Sequence, residues 1–173
     1  MMISAWVTTA AIAAALSATP DAPRILEAPD RGTLQTIHDA NQTAIQVGQL
    51  ARDKAGASKA VRDLGRRLAV DHAAAEKRIS ALLQARGADA RVFASTTSAD
   101  PDHELLATKS GTEFDRAFAL QVIADDTKLI ERLESARLET ADGGLRDFYD
   151  GFLPIVQAHK RAAQDIVVTS ARS

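Results

Sequence analysis

The chain has no cysteine. That excludes disulfides, thiolate metal sites, cysteine nucleophiles and lipid attachment through an N-terminal Cys. Aromatic residues are only 4 %, so the apolar material is mainly Ala, Leu, Val and Ile. Such small and aliphatic side chains suit close helix packing better than a β-sandwich. Neither sign of charge dominates: the formal net charge is −2. A basic face for nucleic acid is therefore not expected. Arg62, Arg66 and Arg67 read as a solvated helix face. A phosphate-binding glycine motif is lacking, and so is a serine at a turn suited to Ser-His-Asp catalysis.

What is present is an N-terminal apolar run followed by long helical periodicities. Residues 1–17 carry no charged side chain. The Ala-rich run around Trp6 ends in Ser17-Ala18, which reads as a secretory signal peptide over 1–17. It is short for a membrane span, which needs about 20 apolar residues. Export to the periplasm or cell envelope is the expectation. Residues 18–32 hold Pro20, Pro23, Pro29 and Gly32, and read as a flexible lead-in. The folded domain is expected over 33–168, with a tail at 169–173.

Four helices follow from apolar residues at three- and four-residue spacing. The first runs from a Thr33 cap to Ala55, with Leu34, Ile37, Asn41, Ile45 and Gly48 inward. The second begins near Ser58 and ends near Arg86-Gly87. Its inward stripe is Val61, Leu64, Leu68, His72, Ala75, Ile79 and Leu82. The third starts near Thr112 and ends near Asp142, with Phe114, Phe118, Val122, Asp126, Leu129 and Leu133. The fourth follows a Gly143-Gly144 turn, with Leu145, Phe148, Phe152, Ile155, His159, Ala162 and Ile166. Pro154 within it is expected to kink the backbone. Residues 87–111 break the periodicity, apart from a short helical turn around 103–109. A connection this long implies a crossover from one end of the molecule to the other. The expected fold is all-α, a ferritin-like four-helix bundle with one long crossover between helices 2 and 3.

Each stripe carries one polar residue: Asn41, His72, Asp126 and His159. Residues equidistant from a hairpin turn lie side by side. The midpoint of 41 and 72 falls at Gly56-Ala57, and that of 126 and 159 at Asp142-Gly143. Asn41 should therefore face His72, and Asp126 should face His159. The four residues form an expected core polar layer at mid-bundle. Three readings are open. The layer fixes helix register through hydrogen bonds. Alternatively, His72, Asp126 and His159 hold a single Zn, Mn or Fe ion. A pH-responsive core is the third. A di-iron oxidase is disfavoured, because Ala69 and Val156 stand where Glu-x-x-His requires glutamate. His38 and His103 are expected to be exposed, and Tyr149 to lie at a surface or interface.

Short motifs occur in a definite order. They are Asn41-Gln42-Thr43-Ala44, Gly48-Gln49-Leu50-Ala51, Asp71-His72, Phe114-Asp115, Asp125-Asp126, and Leu153-Pro154 followed by His159. On these the chain resembles an uncharacterised bacterial exported ferritin-like domain family, a domain of unknown function. Its members are often labelled outer membrane or exported proteins. The resemblance covers residues 33–168. It departs at Ala44, where the family has an acidic residue, and at Asp126, where it has histidine. The resemblance implies fold and export, and no particular activity. The functional expectation is a structural or binding role in the envelope, not an enzyme. The expected partners are an envelope protein or a second copy, with peripheral membrane contact a further option.

Overall fold

The computed structural model describes residues 26–88, Phe93 and residues 101–171. The expected signal peptide lies outside the described residues. Five helices form among those described: α1 (Ala28–Asp53), α2 (Lys59–Gln84), α3 (Pro101–Thr108), α4 (Gly111–Glu139) and α5 (Gly143–Ser170). No described helix is long and apolar enough to cross a membrane.

Cross-helix hydrogen bonds fix how the four long helices run. Near the end of α4, Arg132 Nη2 donates to Thr33 Oγ1 at 2.8 Å, and Thr140 Oγ1 to Asp30 Oδ2 at 3.2 Å. The close of α4 therefore lies beside the start of α1. Arg86 Nε donates to Asp142 Oδ2 at 2.8 Å, placing the end of α2 at the start of α5. Ser58 N donates to Asp115 at 3.2 Å, so α2 and α4 begin at the same end. Each neighbouring pair is thus antiparallel, and α2 and α4 run parallel. The end of α2 and the start of α4, joined by residues 85–110, therefore lie at opposite ends of the molecule. On the way Phe93 stacks on His38, with centroids 5.6 Å apart, and Lys54 Nζ reaches Ala107 O at 2.6 Å.

Helix boundaries differ from the sequence expectation where local chemistry offered two choices. α1 starts at Ala28 with Pro29 in its first turn, where a missing amide hydrogen costs nothing. Part of the expected lead-in is therefore helical, and Leu26 is buried. Thr33 is no cap: it is buried inside α1. Gly143 and Gly144 are not the turn but the first residues of α5, capped by Asp142, whose Oδ1 accepts from Leu145 N at 3.0 Å. Ser58 caps α2, accepting from Val61 N at 3.3 Å. α5 continues through Pro154 to Ser170, so part of the expected tail is helical too.

A three-four repeat leaves the phase ambiguous by one residue, and packing decides. Val47 is buried and Ile45 only half-buried; Leu83 replaces Leu82, Val156 replaces Ile155, and Ala163 replaces Ala162. Tyr149 is fully buried against Phe148, not at a surface. His38 and His103 are half-buried.

Gly48 and Gly65 bring α1 and α2 into backbone contact. A Cβ on either would lie 2.6 Å from the other's carbonyl oxygen. Asn41 lies seven residues before Gly48, and His72 seven after Gly65. The crossing therefore sets the register at which these two polar side chains meet.

The apolar core is divided in two. One cluster holds Leu34 and Ile37 of α1, Ala75 and Ile79 of α2, Leu129 and Leu133 of α4, and Phe152 and Val156 of α5. The other holds Val47, Leu68, Val122 and Ala163 from the same helices. Asn41, His72, Asp126 and His159 each fall between the two clusters.

Candidate functional site

Asn41, His72, Asp126 and His159 are all buried, at 0, 0, 3 and 2 % exposure. His72 Nδ1 is 2.8 Å from Asn41 Oδ1. The other end of the amide settles which atom donates. Asn41 Nδ2 donates to Glu76 Oε1 at 2.7 Å, so Oδ1 must accept and His72 Nδ1 must carry the proton. Glu76 also accepts from His38 Nδ1 at 2.5 Å and Gln42 Nε2 at 3.4 Å. Burial, and then the neighbouring His159, push the His72 pKa down to about 3. The ring is neutral, and its Nε2 presents a lone pair. That atom is buried without a hydrogen-bond partner among the described residues.

His159 does not pair with Asp126. Its Nε2 lies 2.8 Å from Asp71 Oδ2, one residue off the apolar stripe of α2. The two imidazoles stand side by side, with centroids 5.5 Å apart. Burial lowers the His159 pKa, with Asp71 opposing. As a neutral ring donating through Nε2, it leaves Nδ1 as a lone pair, also buried and unpartnered.

Asp126 occupies α4 at the same level. Burial first, and then the charge of Asp125, raise its pKa to about 8, with Lys160 offsetting part of this. At neutral pH it is a carboxylic acid and a hydrogen-bond donor. Its Oδ2 has no partner among the described residues.

A cavity of about 360 Å³ lies between α1 and α4 and reaches His72 on α2. Ala40, Val47, Leu68, Val122 and Leu129 give it apolar walls, and Asp126 and His72 both line it. Ala44 lines it too, so the small residue at the departure noted above leaves space there. Thr36, Thr43, Asp125, Lys128 and Arg132 complete the lining.

Sequence reasoning missed Glu76, His38, Asp71 and Arg132. The hairpin rule holds their signal in part, since the midpoint of 38 and 76 falls at Ala57, within half a residue of the one that relates 41 to 72. Among the described residues, no group of three His, Asp or Glu side chains is disposed to hold a metal ion. The three expected ligands are buried at one level without closing around a common point.

A family model described as Domain of unknown function (DUF4142) matches residues 14–166. No curated protein and no solved structure matches the chain.

Proposed function

The chain belongs to the Domain of unknown function (DUF4142) family, and from that premise we propose a ferritin-like four-helix bundle that acts as a small-molecule binding protein in the cell envelope. The topology supports the ferritin-like reading, because one connection spans the molecule between two antiparallel helix pairs. Export rests on the charge-free apolar run of residues 1–17.

The cavity floor is the observation that carries the binding role. Asp126 and His72 each carry one unpaired buried polar atom, and both residues line the same apolar space. Buried polar groups without partners are costly and uncommon. A floor holding one neutral donor and one neutral acceptor is matched by an uncharged hydrogen-bonding group. Catalysis is less well served, because an imidazole with its pKa near 3 is a weak base at neutral pH.

The test is a fragment screen on the mature protein, followed through its methyl NMR signals. Binding is expected to move Val47, Leu68, Val122 and Leu129 together. Ala44→Phe, which fills the space, should abolish those shifts. If no fragment perturbs these methyls, the cavity is no binding site.

A single divalent metal (Zn, Mn or Fe) on His72, Asp126 and His159 is the second reading. It is favoured by the unpaired His72 Nε2 and His159 Nδ1, whose opposite nitrogens are held by Asn41 and Asp71, as metal-ligating histidines usually are. Stoichiometric metal lost on His72→Ala would support it. No uptake under Zn, Mn and Fe loading would remove it.

A further inference from the structure

The cavity has a second polar end. Arg132 lies six residues beyond Asp126 on α4, about 9 Å along the helix axis. Its Nη2 donates to Thr33 Oγ1 at 2.8 Å. Its Nε is buried and has no partner, and Arg132 lines the same cavity. Among the described residues no carboxylate lies within ion-pair distance of this guanidinium. A permanently charged group, half-buried and with an unused donor, is unusual in a helical protein rich in Asp and Glu. Lys128, one turn earlier, also lines the cavity, its exposed Nζ 4.0 Å from Asp125 Oδ1.

We infer that the ligand is a small organic carboxylate with an apolar body, its anionic end on Arg132 and an uncharged hydroxyl or carbonyl on Asp126 and His72. This rests on the binding role proposed above and names the class of molecule bound. The planar edge of a guanidinium matches two carboxylate oxygens. A phosphate dianion fits less well, since Asp125 also lines the cavity. Between the two ends the walls are Val47, Leu68, Val122 and Leu129. A cavity of about 360 Å³ accepts a short aliphatic chain or a single ring, at the low end of small-molecule sites.

Three probes separate the parts: 6-hydroxyhexanoate, hexanoate and 1,6-hexanediol, titrated by calorimetry and methyl NMR. The hydroxy acid is expected to bind tightest. The diol, lacking the anion, should bind about tenfold or more weakly, the scale of one charge-assisted hydrogen bond. Hexanoate should fall between them. Arg132→Gln should level the hydroxy acid with the diol while the diol keeps its affinity, and Arg132→Lys should recover part of the difference. Equal binding of acid and diol by the wild-type protein overturns the carboxylate assignment and leaves the cavity as a binding site. Unchanged acid affinity in folded Arg132→Gln overturns it as well. If none of the probes moves the cavity methyls but other fragments do, this ligand class is wrong. If nothing at all enters, the binding reading fails with it.

Discussion

Replacing Asp126 with asparagine should stabilise the protein at neutral pH. The side chain is 3 % exposed, and its pKa is raised from 3.8 to about 8. Between those two values the native state holds a proton that the unfolded chain has released. Stability therefore falls as pH rises through this window, and levels off outside it. The roughly three pH units between 3.8 and 7, at about 1.4 kcal/mol each, set a ceiling of about 4 kcal/mol on the cost at pH 7. Asparagine matches the neutral acid in shape, donates and accepts like it, and has no proton to recruit. Asp126→Asn should thus gain up to about 4 kcal/mol at pH 7 and close to nothing at pH 4. Urea unfolding followed by circular dichroism at half-unit pH intervals measures both proteins. All other titrating groups are shared, so the difference between the two curves isolates Asp126. A slope near 1.4 kcal/mol per pH unit is expected from about pH 4.5 to 7.5. A flat difference, or a variant less stable at pH 7, would mean that the carboxylate is ionised in the fold. The neutral cavity floor would then be wrong.

Asn41→Ala should cost about 3 kcal/mol, because it strips partners from His72 Nδ1 and Glu76 at once; chemical denaturation measures this, and imidazole NMR should report loss of a fixed His72 tautomer. Gly48→Ala and Gly65→Ala should each lower stability by more than about 2 kcal/mol, since the added methyl meets backbone 2.6 Å away; Gly143→Ala, with nothing within 4 Å, is the control and should stay within about 0.5 kcal/mol. Arg86→Ala should cost about 3 kcal/mol, for it strands Asp142 at the α2–α5 end; the loss should shrink as acid protonates Asp142, whose pKa the Arg86 hydrogen bond lowers.

The number of long helices and their inward faces are readable in the chain because apolar residues recur every three or four positions. The phase within that repeat is not. Choosing Ile155 over Val156 satisfies the spacing equally well, and only the packing of four helices around a common axis selects between them. Asn41 beside His72 is legible for a stronger reason. A hairpin with a short turn leaves one registration, and Gly48 and Gly65 share its midpoint. The partner of His159 is not legible by the same rule. That rule relates residues within one hairpin, whereas Asp71 and His159 belong to different hairpins. How far α5 slides along α2 is set by side-chain packing across the whole interface. Glu76 falls inside the rule's reach, since it sits one helical turn beyond His72 on the side of Asn41 and His38. Arg132 had no sequence signal, because an unpaired guanidinium looks like any other surface arginine until the helices meet.

The distribution of satisfied and unsatisfied atoms weighs against a layer that serves register alone. For register, one specific pair suffices, and Asn41 with His72 supplies it. The rest of a purely structural layer should either be apolar or be fully hydrogen-bonded, since a half-satisfied polar network is worse than a hydrophobic one. On one side the network runs on from Asn41 through Glu76 to His38 Nδ1, leaving His38 Nε2 as its unpartnered end. On the side of the cavity it stops short, leaving His72 Nε2, Asp126 Oδ2 and Arg132 Nε without partners. An acceptor, a neutral acid and a cationic donor thus belong to three residues that line one apolar space. Among the described residues His38 Nε2, His103 Nδ1, Tyr149 Oη and His159 Nδ1 are also buried without partners, and those residues do not line the cavity. The three residues that do line it match a molecule that donates at one end and carries negative charge at the other.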